Sequence, residues 1–434
     1  MSFSQRLQEI RDGFQPAFWV ANITELFERL SYYGVQAVLA IYLSESLRFT
    51  EAQTGDLIGY FGLIVWFLPI IGGTLADRFG FRRSLALAYL VLALGYFLLG
   101  SLSASWMAPL RSAIPLERLV LLVLLVPAVG PAIVKPCVVG TTARASNENV
   151  RSLGYSIYYT IVNVGGTLGP FVAFLVRRSL GIENVFRVCA LSVFLMFFAT
   201  LAFYKEPARA GEKQASSIAA AVKNMFVVLG NLRFMLFLLI FSGFWVVFWQ
   251  EFISLPLYIR RYVNPNADVD LLLMVDPLAV ILFQIAVSYL TRRIPTFPAM
   301  TLGLLITSLS WLILGLGSSG WMVGGLPVWG VAALVVLALG EMTQSPRYYE
   351  YISRLAPPGQ QGTFMGFAFL PIGIGFFIAG AVGGRLVHYF GEVLRRPQQM
   401  WWVISAIGVF TTLLMLGYNR IVKPAETSAP ASSS

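Results

Sequence analysis

About twelve apolar runs of roughly 20 residues follow one another along this chain, separated by short polar breaks. Their centres fall near Leu39, Val65, Leu92, Leu124, Val164, Phe194, Phe244, Leu282, Leu305, Val335, Phe376 and Val409. A run of that length crosses the hydrocarbon core of a bilayer as a helix. Composition agrees: 57% of the residues are hydrophobic and 12% charged, against about a quarter charged in soluble proteins. Mean hydropathy is +0.73. The expected fold is an all-α polytopic membrane protein.

The first apolar run contains three charges: Glu25, Glu28 and Arg29 lie between Phe18-Trp-Val-Ala and Val35-Gln-Ala-Val-Leu. A charge at the bilayer centre costs about 2.5–3.5 kcal/mol on insertion scales. Residues 25, 28, 29, 32, 33 and 36 follow the i, i+3, i+4, i+7 spacing of one helical face. That face, with Tyr32 and Tyr33 on it, is expected to turn from lipid toward a protein-enclosed, partly wet path. Lys135 adds a fourth charge from another span, so that two acids and two bases balance when all are ionised.

The net charge of +10 reads as positive-inside topology rather than nucleic-acid binding. Arg78, Arg82 and Arg83 crowd one short loop, whereas Arg177, Arg178, Arg260 and Arg261 run against the bias. Both termini are expected in the cytoplasm and the chain in the inner cell membrane. Met1 to Gln15 is polar, so the first span is expected to insert uncleaved. Cys137 and Cys189 fall within spans and imply no disulfide framework. With one histidine, His388, no metal site, cofactor or enzymatic chemistry is expected, and proton chemistry would rest on carboxylates.

The longest internal polar stretch, Lys205 to about Arg233, divides the spans six and six. The expected organisation is a six-helix bundle over 1–204, a cytoplasmic linker over 205–232 with a surface helix from Ser216 to Leu229, a second bundle over 233–419 and a disordered tail over 420–434. Between spans two and three stands Gly72-Gly-Thr-Leu-Ala-Asp77-Arg78-Phe-Gly80-Phe-Arg82-Arg83. This resembles the signature loop of the major facilitator superfamily, which implies two six-helix bundles and makes Asp77, Arg78 and Arg82 a conformational latch.

Four further segments resemble the proton-dependent oligopeptide transporter family: Glu25-x-x-Glu28-Arg29 with Ser31-Tyr-Tyr-Gly34; Lys135-Pro136; Tyr155-Ser-Ile-Tyr-Tyr159 with Asn163-Val-Gly165; and Glu341 with Ser345-Pro346. The resemblance implies proton-coupled uptake of di- and tripeptides by a compact twelve-helix, bacterial-type member, powered by the proton gradient with no cofactor. It implies proton coupling through Glu25, Glu28, Arg29 and Lys135. It implies substrate contacts from Arg29, Tyr32, Tyr33, Trp66, Lys135, Asn163, Glu341 and Ser345, the peptide's amino end facing Asn163 and Glu341.

Four positions depart from the family pattern. Trp249 stands where the seventh span usually carries an acid, and Gln36 where that acid's arginine partner stands. Trp66 replaces a tyrosine, and Ala368 a tryptophan. Glu251, two residues after Trp249, and Asp276, where the family has asparagine, are candidate replacements in proton coupling. Other readings stay open: a purely architectural charge cluster on the first helix, Asn163 as glue between helices, a neutral hydrogen-bonded Glu341, and Asp276 as a helix N-cap before Pro277. The same pocket suits other small zwitterions or organic anions, and a non-transporting sensor would use the same fold.

Overall fold

The protein, described by a computed structural model, is helical nearly throughout. The structure describes residues 13–69, 79–207, 226–317, 321–323, 326–357 and 361–422. Twelve long helices organise it: α1 (Pro16–Ile41), α2 (Glu51–Phe67), α3 (Phe81–Leu99), α4 (Leu116–Arg144), α5 (Arg151–Leu180), α6 (Ile182–Phe203), α7 (Leu232–Phe248), α8 (Val275–Thr291), α9 (Thr296–Ser310), α10 (Val328–Leu355), α11 (Leu370–His388) and α12 (Met400–Ile421). Within lipid, backbone polar groups must pair inside their own segment, and helices satisfy that demand.

Ten of these stretches, from α3 onward, are long and apolar enough to cross a membrane by length and composition. The other two are the charged α1, 26 residues long, and α2, whose helix has 17. The sequence puts the centre of the first span near Leu39. The helix instead starts at Pro16, a residue suited to a helix's first turn, and its midpoint falls between Glu28 and Arg29. The charges therefore sit at mid-helix.

Helices α1 to α6 form one half and α7 to α12 the other. An even number of crossings puts the start of α1 and the end of α12 on one face, called proximal here; the other is distal. The halves meet where α2 packs on α11 and α5 on α8. At the first seam, a Cβ on Gly55 or Gly380 would stand 2.2 Å from the other's carbonyl oxygen, so only glycine allows that approach. Within the first half, Gly165 and Gly169 of α5 bear on α1, where added Cβ atoms would meet Arg29 Cβ at 2.6 Å and Leu30 O at 2.5 Å. This is the small-xxx-small packing that their spacing predicts.

Regularity breaks at the distal ends. Helix α1 runs into a π-helical turn at Tyr42–Ser46, and α11 into one at Tyr389–Val393. After α7 the chain makes a 3-10 turn at Trp249–Glu251, a short helix at Ser254–Tyr258 and a third π-helical turn at Ile259–Val263. The linker helix expected over Ser216 to Leu229 lies outside the described residues except for its last turn, as does the tail beyond Val422.

Candidate functional site between the two halves

The charged face of α1 is shut off from solvent: Glu25 and Glu28 are fully buried and Arg29 almost so. Arg29 donates from Nε and Nη2 to the two carboxylate oxygens of Glu28, at 2.5 and 2.6 Å. Its Nε also stands 3.3 Å from Glu25 Oε1. The guanidinium lies 4.9 Å from the Tyr32 ring centroid, and Gln36 Nε2 donates to the Tyr32 hydroxyl at 3.2 Å. Gln36 therefore braces Tyr32 where the family pattern has an arginine.

Lys135 precedes Pro136, one of three prolines inside α4. Its ammonium lies 4.0 Å from the Trp66 ring centroid and 5.7 Å from that of Phe369. Its charge interacts with those of Arg29, Glu25 and Glu28, yet among the described residues it makes no ion pair. Both acids have gone to Arg29. Lys135 is held by the faces of aromatic rings, an interaction worth about 0.5–2 kcal/mol.

On α5, Asn163 Nδ2 donates to the Tyr159 carbonyl at 2.9 Å, and the Asn163 carbonyl accepts from Thr167. Both bonds stay within α5, which corrects the reading of Asn163 as glue between helices. The Asn163 amide keeps contact with solvent.

The second half brings three carboxylates to the same region. The 3-10 turn after α7 carries Glu251, fully buried, with neither carboxylate oxygen hydrogen-bonded. Asp276 is the second residue of α8. The cap position is Met274 and no side chain caps the helix, so the N-cap reading of Asp276 is also corrected. A preceding turn at Val269–Leu272 extends the span to 23 residues. Asp276 is 6% exposed, and its Oδ1 has no hydrogen-bond partner. The charge of Glu251 interacts with those of Asp276 and Glu341, and Asp276 with Glu341. Tyr33 and Tyr159 feel both Asp276 and Glu341. Ser345 accepts a hydrogen bond from Gln344 at 2.7 Å.

Aromatic rings of both halves pack against one another in this region. The Trp249 ring centroid lies 4.1 Å from that of Phe376, 5.6 Å from Phe252 and 6.1 Å from Trp66. Phe252 reaches Tyr33 at 6.4 Å. Trp249 thus packs among aromatic rings of both halves, and the nearest acid in the chain, Glu251, follows it around the turn.

Ion pairs between the halves close the distal face. Arg260 pairs with Glu45 at 2.8 Å, Arg385 with Asp56 at 2.6 Å, and Arg177 with Asp270 at 2.7 Å and Asp268 at 3.0 Å. Arg261 contacts both Glu51 and Glu392, and His388 Nδ1 lies 3.6 Å from Glu51. Each of the three π-helical turns supplies a member of this seal. At the proximal face, Glu206 accepts from the backbone amides of Phe81 and Arg82, and the Arg82 guanidinium donates to the Leu201 carbonyl. Arg82 thus fastens α3 to the end of α6 within one half. The other two latch residues, Asp77 and Arg78, lie outside the described residues.

Residues 22–370 match the Major Facilitator Superfamily. The chain belongs to that superfamily. Dipeptide and tripeptide permease B of Edwardsiella piscicida is 25% identical to it over 433 residues, covering 84% of this chain and 85% of the permease. Multidrug resistance protein MdtH of Salmonella newport (strain SL254) is 23% identical over 392 residues, 90% of each chain. Among solved structures, a POT family transporter in complex with a thioalcohol-conjugated peptide superposes with TM-score 0.74 at 17% identity, over 93% of this chain and 96% of that one. A peptide transporter POT in complex with sulfate gives 0.72 at 20%, over 95% and 98%. The fold is shared with these structures, and the resemblance read from the motifs stands.

In this major facilitator protein, the predicted site residues Glu25, Glu28, Arg29, Tyr32 and Tyr33 from α1, Trp66 from α2, Lys135 from α4 and Asn163 from α5 stand on the first-half side, and Glu251, Asp276 and Glu341 on the second-half side, whereas Ser345 contacts Gln344 on its own helix. Sequence reasoning missed Trp249, Phe252 and Phe369 as members of this aromatic packing. An aromatic content of 14% hides such residues among packing neighbours. It also missed the distal seal, although the four arginines that break the positive-inside bias are all members of it, Arg178 through Asp268 at 3.5 Å.

Proposed function

We propose that this multi-pass membrane protein is a proton-coupled symporter of di- and tripeptides. It sits in the inner membrane with both termini cytoplasmic, and its halves rock about the central site. The proton gradient supplies the drive, with no cofactor. One observation carries the reading: Lys135, an ammonium without an ion pair among the described residues, belongs to the first half, and carboxylates without basic partners belong to the second, with aromatic rings of both halves packed between the two bundles. A zwitterion has complementary poles, and a peptide adds side chains for the rings to hold. On this reading the ion-paired distal face is the outer one.

Each group then has a task. Lys135 receives the substrate carboxylate. Glu341, helped by Asn163, takes the ammonium. Glu28 and Glu25 exchange protons as Arg29 and Lys135 change partners. The relatives' names support peptides first, and the similarity to a multidrug resistance protein supports a second reading, in which these aromatic rings take another small solute. Counterflow and gradient-driven uptake in proteoliposomes test both. Exchange of Ala-Ala, and its accumulation under an inward proton gradient, support the peptide reading. Exchange restricted to non-peptide solutes overturns it.

A further inference from the structure

The proximal face of the second half carries a cavity of about 440 Å³, where the turn from α8 to α9 meets the ends of α10 and α12. Among its described lining residues are four arginines, Arg292, Arg293, Arg347 and Arg354, and one acid, Glu350. That acid is shared: Glu350 accepts from Arg347 at 3.1 Å and from Arg354 at 2.5 Å. Arg347 also reaches across to α8, donating to the Thr291 carbonyl at 3.4 Å. Arg292 and Arg293 are exposed and form no ion pair among the described residues. The Arg292 guanidinium lies over the Tyr289 ring, 4.0 Å from its centroid. One arginine at a helix end is ordinary in a membrane protein. Four around one cavity with a single acid make a concentrated positive field, and an anion balances it.

The surface beside the cavity indicates what kind of anion. Leu282, Ile285 and Tyr289 of α8 are exposed. With Arg292, which keeps helical geometry at the end of α8, they follow the i, i+3, i+7, i+10 spacing of one helical face. This apolar stripe spans about 15 Å at the helical rise, half of a hydrocarbon core of about 30 Å. It is therefore one leaflet long and ends at the arginines. A free phosphate has no use for such a stripe, whereas a phospholipid fits both parts. We propose that the cavity is a headgroup site for an anionic phospholipid of the proximal leaflet. Arg292 and Arg293 bind its phosphodiester, and an acyl chain lies along Leu282, Ile285 and Tyr289. The bound headgroup ties the α8–α9 turn to the end of α10. The inference goes beyond the transport reading and holds whichever solute is carried.

The test uses the purified full-length protein in detergent. It is titrated with dioleoyl phosphatidylglycerol, dioleoyl phosphatidylcholine or inorganic phosphate while the melting temperature is followed. Wild type should bind phosphatidylglycerol about tenfold or more tightly than phosphatidylcholine, and inorganic phosphate should not stabilise it. Each arginine near a membrane surface is worth about a fivefold factor in binding. Arg292→Gln and Arg293→Gln together should therefore lower phosphatidylglycerol affinity about 25-fold. Arg395→Gln with Arg396→Gln, an exposed adjacent pair at the distal end, removes the same charge and should leave that affinity unchanged. Each protein is compared with its own lipid-free melting temperature, so altered intrinsic stability does not enter, and the wild-type lipid comparison needs no variant. Equal binding of the two lipids overturns the proposal. So does an affinity that survives Arg292→Gln with Arg293→Gln, or one that falls equally in the distal pair. Stabilisation by inorganic phosphate that matches phosphatidylglycerol makes this a site for a free anion and overturns the lipid.

Discussion

Arg29 donates two hydrogen bonds to the carboxylate of Glu28, its immediate predecessor in α1, at 2.5 and 2.6 Å. Side chains one residue apart on a helix project about 100° from each other, so the guanidinium folds back along the helix to make this clamp. Beside it Gly165 lets the α5 backbone approach closely, where a larger residue would collide with Arg29 Cβ. The clamp commits Arg29 to Glu28, with Glu25 close by, and leaves Lys135 to the aromatic faces. The conformation with the distal face sealed is thus also the one with a free lysine ammonium in the site.

Removing the arginine should be the most destructive single change in the site. Breaking a buried pair by deleting one partner costs about 3–5 kcal/mol, because the other charge stays behind unpaired, and Arg29→Met strands two carboxylates. The expected result is a strongly lowered melting temperature in detergent. The double variant Arg29→Met, Glu28→Gln should regain part of the loss. If Arg29→Met melts like wild type, the clamp has no structural weight.

Replacing Glu28 by glutamine separates coupling from movement. The amide still hydrogen-bonds but cannot carry the proton. Glu28→Gln should abolish accumulation driven by an inward proton gradient in proteoliposomes while substrate counterflow persists. Full gradient-driven accumulation in this variant would remove Glu28 from the coupling path.

Lys135 is expected to read the substrate's carboxylate. Wild type should bind Ala-Ala more tightly than its C-terminal amide, by roughly ten- to a hundredfold, as a charge-assisted contact of about 1.5–3 kcal/mol implies. In Lys135→Ala the two should bind alike, and uptake should fail. A Lys135→Ala protein that still discriminates acid from amide would point to Arg29 as the carboxylate partner instead.

The fold and the first half of the site could be read from the sequence because their signals are local. Apolar runs of bilayer length mark the spans, and Glu25, Glu28, Arg29, Tyr32 and Tyr33 share one helical face within nine residues. The acids of the second half were harder to place. Glu251 stands on a 3-10 turn, and a uniform helical period carried past Trp249 does not foresee that break. The seal was harder still, since it joins Glu45 to Arg260, Asp56 to Arg385 and Arg177 to Asp270, pairs with no proximity in sequence. The one available hint was the set of arginines on the face where positive charge is unusual.

Those seal pairs should not count equally. Arg385 and Asp56 are 58% and 30% exposed, and Glu45 is 45% exposed. Solvent-exposed pairs of this kind contribute about 0.2–1 kcal/mol and weaken in salt. Asp270 is fully buried and accepts from both Nε and Nη2 of Arg177 at 2.7 and 2.9 Å. Losing it leaves the half-buried Arg177 with the more weakly held Asp268. Asp270→Asn should therefore release the distal face more than Asp56→Asn or Glu45→Gln. The reporter is a cysteine at Leu257, which is 5% exposed and lines the roughly 580 Å³ distal cavity between the halves. Alkylation of Leu257→Cys by a membrane-impermeant maleimide from the distal side should be slow in the parent and fastest with Asp270→Asn. Raising the salt concentration should speed labelling of the parent more than of the Asp270→Asn variant, whose seal is already loosened. If Asp56→Asn accelerates labelling as much as Asp270→Asn, burial does not rank these pairs, and the α2–α11 seam rather than the α5–α8 seam governs opening.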